Sequence, residues 1–319
     1  MRAHSLAVFI LISFGFGLEV LGQQDPQFSQ YMFNSLHYNP AYAGIEGVAR
    51  ITAVHRTQWL GFSTSFDGNG GNPNTEILNF SLPIRKLRGG AGVELSNDNL
   101  GPQNNFKALA TYAFHYPIKE ATISIGIRAG IFAQTIDYDQ FRPVQPDDPL
   151  LVNKSGKTSQ VKPDLAAGIW YSAPKYYLGV ALNHLLQSQF DFGVAGQTSP
   201  LEPNLTITAG YISKAGYNFT LTPSVLVKTD LNSYSFDLGL VGTFNQKMWV
   251  GGAFRQSEAA ILLLGYSFLK DRALKVGYSI DLIIKDREAK QPTSHELMVS
   301  YLLPFSNEPR KAIKTPRFN

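Results

Sequence analysis

Along most of this chain apolar and polar residues alternate, in segments of about ten residues separated by turn residues. Ala121 to Ala133 shows the pattern: Ile123, Ile125, Ile127, Ala129, Ile131 and Ala133 fall on one face, and Ser124, Gly126, Arg128 and Gly130 on the other. A period of two belongs to a strand, because successive Cβ atoms point to opposite sides of a sheet. Leu205, Ile207, Ala209 and Tyr211 oppose Thr206, Thr208 and Gly210 in the same way, and Leu274, Val276, Tyr278, Ile280 and Leu282 oppose Lys275, Gly277, Ser279 and Asp281. Helical periodicity is nearly absent. Strands are predicted at 47–58, 75–84, 88–97, 105–116, 120–135, 164–172, 176–185, 203–213, 217–229, 232–244, 247–256, 258–269, 272–284 and 294–303. That is about fourteen, and an even count puts both chain ends on one side of a closed up-and-down sheet.

A secreted β-sandwich, a water-soluble barrel and a transmembrane barrel all suit alternating strands. Sandwich strands run about 5–6 residues; these run nearer ten, the length a tilted strand needs to cross a bilayer. Arg128, Lys228, Asp237, Lys275 and Asp281 stand in mid-segment on the polar faces, opposite continuous apolar faces. A charge turned to lipid at the midplane costs about 2–4 kcal/mol, so these five side chains are expected to face a wet or hydrogen-bonded lumen. On a sandwich they would lie on the solvent face. Aromatic residues cluster near segment ends, at Phe114 and Tyr116, Trp170 and Tyr171, Tyr176 and Tyr177, Phe244 and Trp249, and Tyr301 and Phe305, where a barrel carries its interfacial girdles. No later apolar run is long enough for a transmembrane helix, and lipid tolerates no unpaired backbone, so a membrane protein of this pattern must be a closed barrel. The fold class read from the pattern is all-β: a transmembrane antiparallel up-and-down β-barrel of about 14 strands with an N-terminal periplasmic segment.

The connections fit that orientation. Those after strands one (Leu60 to Asn74), five (Ile136 to Pro163) and seven (Leu186 to Glu202) are long, as external loops are, and the connection near Asp286 to Thr293 is external too. Arg85-Lys86-Leu87, Pro117-Ile118-Lys119, Ala173-Pro174-Lys175 and Lys214-Ala215-Gly216 are tight, as periplasmic turns are. Residues 1–22 read as a signal peptide: Arg2 and His4 are polar, Leu6 to Leu18 apolar, and Val20 and Gly22 precede a cut before Gln23. A cut before Gln24 fits nearly as well. The expected divisions are then 23–46 as an N-terminal periplasmic or plug segment, 47–303 as the outer-membrane barrel, and 304–319 as a C-terminal periplasmic tail.

Composition adds two constraints. With no cysteine among 319 residues, stability must come from a substantial core or a closed sheet rather than from disulfides. A formal charge of +4, its bases scattered apart from a C-terminal cluster, argues against nucleic-acid binding. Catalytic patterns are thin: His115, His184 and His295 lie on different predicted strands, and Asp147-Asp148 sits between prolines in a loop. Ser294-His295 suggests a lipase pair, but strand neighbours point to opposite faces. Gly-Gly pairs at 70–71 and 89–90 lack the Lys and helix start of a phosphate loop. No catalytic residue, cofactor or metal site is expected.

The stretch Gln23 to Gly44, QQDPQFSQYMFNSLHYNPAYAG, stands apart from the alternation, with aromatics, amides and two prolines. It resembles the opening signature of the PorP/SprF family, outer-membrane components of the type IX secretion system of Bacteroidetes. His55-Arg56-Thr57-Gln58-Trp59-Leu60-Gly61, the run Gly89 to Gly101, Pro163-Asp164, Tyr177 to Leu185, Pro223-Ser224, Ser294-His295-Glu296 and the closing TPRFN are similar to later family elements in the expected order. The resemblance implies a non-enzymatic barrel exported to the outer membrane, in contact with its lipid. Its implied partners are periplasmic ring proteins, a peptidoglycan-binding lipoprotein, and a large adhesin or other cargo whose secretion or cell-surface anchoring it assists; family members also serve gliding motility. The alternative is a passive or substrate-specific porin. Phe28, Tyr31, Phe33 and Tyr38, with Asn39 and Pro40, are expected either to offer a partner-binding surface at the periplasmic mouth or to fold back into the lumen, where Gln27, Gln30 and Asn34 would find polar partners.

Overall fold

The structure, a computed structural model, describes residues 25–62, 71–141, 151, 154–192, 199–285, 287 and 290–303. The expected leader 1–22, Gln23, Gln24, Asp147-Asp148 and the tail 304–319 with Phe305 lie outside the described residues. Fourteen strands form the wall: β1 (Ala49–Thr57), β2 (Asn74–Ile84), β3 (Gly89–Leu100), β4 (Gln103–Ile118), β5 (Ala121–Asp137), β6 (Lys157–Ser172) and β7 (Tyr176–Asn183). They continue as β8 (Asn204–Tyr211), β9 (Phe219–Thr229), β10 (Tyr234–Phe244), β11 (Met248–Arg255), β12 (Ala259–Phe268), β13 (Leu274–Ile283) and β14 (Thr293–Leu303). Each pairs antiparallel with its sequence neighbour, and β14 pairs with β1 from Ala49↔Leu303 to Thr57↔His295, so the sheet is a closed 14-strand antiparallel barrel. Among the described residues no helix is long and apolar enough to cross a membrane.

Alternation along each strand sorts side chains between two environments. Ile125, Ile127, Ile169, Leu262 and Leu264 are each more than half exposed on the outer face, while their neighbours Ser124, Arg128, Ile261 and Leu263 are buried inside. An apolar exterior of this kind is soluble only in lipid. The same parity revises the aromatic girdle expected from the sequence. Phe114, Tyr116, Tyr176 and Phe244 do point outward, but Trp170 and Trp249 are buried on the inner face, because each stands at an inward position of its strand.

The wall is uneven in height. β4, β5 and β6 run 16, 17 and 16 residues, whereas β7 and β8 run 8 each. β6 therefore pairs with β7 only from Ala167 to Ser172. β6 begins at Lys157 and not at 164, the start read from the sequence, so Pro163 lies within the strand. The proline is tolerated because its carbonyl turns away from β5 to accept a 2.7 Å hydrogen bond from Ser188 Oγ. In an antiparallel strand a residue's N–H and C=O share a side, so the missing donor lies on the edge that β7 leaves uncovered.

The outer face provides the test of this register. Ile127→Arg would place a cation in hydrocarbon, at about 2–4 kcal/mol near the midplane, whereas Ile127→Val would not. The arginine variant should lose most of its heat-modifiable, folded species on an unheated denaturing gel, and the valine variant should keep it; equal behaviour would overturn the face assignment.

Candidate functional site

The interior of the barrel is occupied by the chain's own N-terminal segment, described from Asp25 onward. Three short turns shape it: a 3-10 turn at Tyr31–Phe33, a single helical turn at Ser35–Tyr38, and a second 3-10 turn at Pro40–Tyr42. Asn39 starts the last of these, its side-chain oxygen accepting the Ala41 N–H at 2.9 Å, and Pro40 supplies the fixed φ of a first helical position. The same Asn39 amide donates to the carbonyls of Ile169 (3.0 Å) and Val180 (3.1 Å), tying the turn to β6 and β7. Gly44, in the left-handed region at φ +72°, then leads out to β1, and its N–H donates to Ser81 Oγ at 2.8 Å.

Two wall features fit the segment. Where the backbone presses closest, the wall is glycine: a Cβ on Gly126 would collide with Pro40 and Ala41, one on Gly168 with the Asn39 side chain, and one on Gly90 with Ala43 and Gly44. Elsewhere the wall presents charge. Glu296 on β14 accepts two successive backbone N–H groups, from Ser29 at 2.7 Å and Gln30 at 2.9 Å. Asp281 on β13 accepts from the Ser29 hydroxyl at 2.6 Å. Arg56 on β1 closes this knot, donating to Ser29 Oγ at 2.6 Å and Asp281 Oδ2 at 2.7 Å and standing 3.4 Å from Glu296. Arg255 adds an ion pair to Asp237 at 3.0 Å and lies 3.6 Å from Asp281. All five charged side chains are at most 3% exposed.

A second cluster, across the lumen, holds the first described residue of the segment. The Asp25 carboxylate meets Lys107 Nζ, His184 Nε2 at 2.9 Å and Asn204 Nδ2 at 2.6 Å, and Lys228 donates to its backbone carbonyl at 3.2 Å. Burial disfavours the charge on Asp25, but Lys107 and His184 outweigh it and hold the carboxyl well below its usual range. Asp164 takes the other His184 nitrogen at 3.1 Å. Between these groups remains a void of about 20 Å³, room for roughly one water. At mid-segment Arg128 caps the helical turn, donating to the carbonyls of His37 (2.9 Å) and Leu36, while His37 meets Glu94 at 3.0 Å. Cations at a helix C-terminus satisfy carbonyls that have no partner within the turn.

The structure therefore places Arg128, Lys228, Asp237 and Asp281 inside, against the segment or its ion pairs, and Lys275 at an inward position of β13, half-buried. Of the two places open to the aromatic stretch, its side chains take the lumen. Phe28, Tyr31, Tyr38, Asn39 and Pro40 are buried, and Phe33 packs on Trp249 with ring centroids 5.2 Å apart. Tyr31 bonds Ser224 at 2.9 Å, Gln27 bonds Ser235 at 3.1 Å, and Asn34 accepts from Asn79 at 2.6 Å. Apolar rings in a polar lumen are stable because they pack on each other and on Val54, Ile77, Leu226, Val241 and Met298.

Sequence reasoning missed Arg56, Glu94, Lys107, Asp164, Arg255 and Glu296 as site residues. Inward parity was the available signal, and three of them sit opposite a partner across the sheet, in the pairs Arg56↔Glu296 and Asp237↔Arg255. His115, His184 and His295 fall into separate contacts, with Ser124 (2.7 Å), with Asp25 and Asp164, and with Tyr278. Ser294 and His295 do face opposite ways: Ser294 is buried and accepts the Trp59 N–H at 3.0 Å. Among the described residues no group of His, Cys, Asp and Glu could hold a metal ion.

Comparison with known proteins gives one sequence match: the family model for the type IX secretion system membrane protein PorP/SprF aligns with residues 20–301. No curated protein matches by sequence. Among solved structures the fold is similar to the toluene transporter TbuX of Ralstonia pickettii, with TM-score 0.52 and 12% identity over 84% of this chain and 92% of that one. Weaker likenesses are to the outer membrane protein Omp33 of Acinetobacter baumannii, with TM-score 0.46 and 8% identity over 80% and 98% of the two chains. A Pseudomonas aeruginosa FadL homologue gives TM-score 0.41 and 13% identity over 88% and 95%. At these identities the likeness to TbuX speaks for the barrel fold alone.

The two wall features can be tested separately. Glu296→Ala leaves Arg56 short of a carboxylate and two N–H groups without their acceptor, a loss on the order of 3–5 kcal/mol for a buried ion network. Since the chain has no native cysteine, a Met32→Cys probe reports release: it should react slowly with a polar thiol reagent in the parent barrel and at least tenfold faster with Glu296→Ala. Gly126→Leu should release it as well, by collision, while Gly216→Ala, in a turn with open space around it, should not. Unchanged labelling in both site variants would show that neither contact holds the segment.

Proposed function

The chain belongs to the PorP/SprF family of type IX secretion system membrane proteins, and we propose that it is a non-enzymatic outer-membrane barrel that assists secretion or cell-surface anchoring of a large adhesin or other cargo. The observation that carries this reading is the occupied lumen. A solute channel needs a continuous wet path, whereas here the Ser29–Gln30 backbone is held by Glu296 and the lumen between the two ionic clusters is filled by packed side chains. The same filling makes the barrel a rigid body, because its segment is bonded to strands all round the wall. Such a body serves better as a fixed membrane platform than as a conduit, so cargo is held by exposed surfaces and not passed through the barrel.

Those surfaces lie at the two ends. The ends of β1, β5 and β7 share the rim that has the longer connections in sequence; we take this rim as the external one, as in barrels with short periplasmic turns, and as the side offered to cargo. The opposite rim carries only short turns, with the start of β1 and the end of β14; through it the barrel couples to periplasmic ring components and a peptidoglycan-binding lipoprotein. Export depends on a signal peptide within residues 1–22.

Deleting the gene and restoring either the parent or the Glu296→Ala barrel tests the reading. The deletion strain should lose surface display of its cargo while keeping small-solute uptake, and the parent gene should restore display. Intact display with lost uptake of one solute class would replace the platform reading with that of a porin.

A further inference from the structure

The six short turns at the rim where β1 begins and β14 ends share a composition that their role as strand connections does not require. They cover residues 85–88, 119–120, 173–175, 212–218, 245–247 and 269–273, and together carry nine basic side chains against two acidic ones, Glu120 and Asp271. The first turn has three bases and the last has two; the others have Lys119, Lys175, Lys214 and Lys247. All nine are exposed, and among the described residues none forms an ion pair. The opposite rim mixes its signs, with Asp137, Asp139, Asp230 and Glu258 among Lys154 and Lys157.

Each turn also has an exposed apolar or aromatic residue in it or next to it: Leu87, Ile118, Tyr176, Tyr217, Met248 and Leu269 in turn order. Leu87, Tyr217 and Leu269 lie in the turns themselves, where nothing in the fold needs an apolar side chain. Just above them on the outer face stand Phe114, Tyr116, Phe244 and Phe268, all exposed, marking the edge of the hydrocarbon. Basic groups one step beyond an aromatic edge, with apolar side chains between them, match the polarity gradient of a bilayer interface: stems and rings reach the acyl boundary while the cations reach the phosphates.

From this geometry we propose that the turns form a basic collar that binds the anionic phosphate headgroups of the inner leaflet of the outer membrane. The distribution favours lipid over a protein partner. Turns two strands apart are separated by about 10 Å around the barrel, and every one carries a base, so the charge encircles the wall. A protein docked on one side would need bases on one side only, whereas a leaflet surrounds the barrel.

The test uses the full barrel, purified in mixed micelles with equal phosphatidylglycerol and phosphatidylcholine, and measures the lipid that co-elutes. The comparison is a six-site variant, Lys86→Gln, Lys119→Gln, Lys175→Gln, Lys214→Gln, Lys247→Gln and Lys270→Gln, with two three-site halves in case the six-site protein does not fold; heat-modifiable mobility certifies each. The parent should enrich phosphatidylglycerol about threefold or more, each half-variant less, and the six-site variant near parity. Excess inorganic phosphate should leave the enrichment in place; displacement by phosphate would mean an ion site and not a headgroup site. Parity in the parent, or full enrichment in every folded variant, overturns the collar. So does undiminished enrichment accompanied by loss of a copurifying periplasmic protein from native membranes, which would make the turns a protein surface.

Discussion

Glu296 is where the wall and the inserted segment become one structure. A barrel of fourteen strands encloses more volume than its own inward side chains can fill, and its inward positions carry charges that cannot face lipid. Left alone, such a wall would surround water. Here Glu296 spends both oxygens on consecutive backbone N–H groups of the segment, and Asp281 and Arg56 meet on the hydroxyl of Ser29 between them. Every one of these groups is buried, so none has solvent to fall back on; the wall needs the segment to satisfy its charges, and the segment needs the wall to satisfy its backbone. This mutual dependence makes a short, mostly irregular stretch as well determined as the strands around it.

The rest of the interior follows from that anchoring. Once Ser29 and Gln30 are fixed at β13 and β14, the chain must cross the lumen to reach β1 at the short-turn rim, and each crossing point has a matching wall feature. Arg128 caps the helical turn, Asn39 bridges β6 and β7, and glycines at 126, 168 and 90 give the backbone room. On the far side the low wall of β7 and β8 leaves a gap in which His184 and Asn204 can close on Asp25. The unequal strand lengths and the second ionic cluster are thus parts of one arrangement.

For function, the consequence is that activity has moved from the inside of the barrel to its ends. The aromatic stretch that suggested an interface fills the lumen, so on the proposed reading partners meet the barrel at its two ends. Membership in a secretion-system family is consistent with a part that holds other components in register at the membrane.

The sequence by itself determined the wall. Period-two alternation is local, since it depends only on neighbouring residues facing opposite sides of a sheet, and it yielded fourteen strands, their faces, the inward charges and the positions of long and short connections. It also carried the family resemblance, because Gln23 to Gly44 is distinctive as a string of residues. What the sequence left open was which of two places that string occupies, mouth or lumen, and tertiary structure decided it. The decision rests on pairings across 200 residues and more, such as Ser29 with Glu296 and Gln27 with Ser235, and no local pattern encodes them. The start of β6 shows a similar limit: whether Pro163 can sit within a strand depends on which neighbour its missing N–H would have faced, and that neighbour's length is set elsewhere in the chain. Trp170 and Trp249 show the remaining limit. Hydrophobicity alone places a tryptophan in lipid, and only the register, with the packed segment on the other side of the wall, turns it inward.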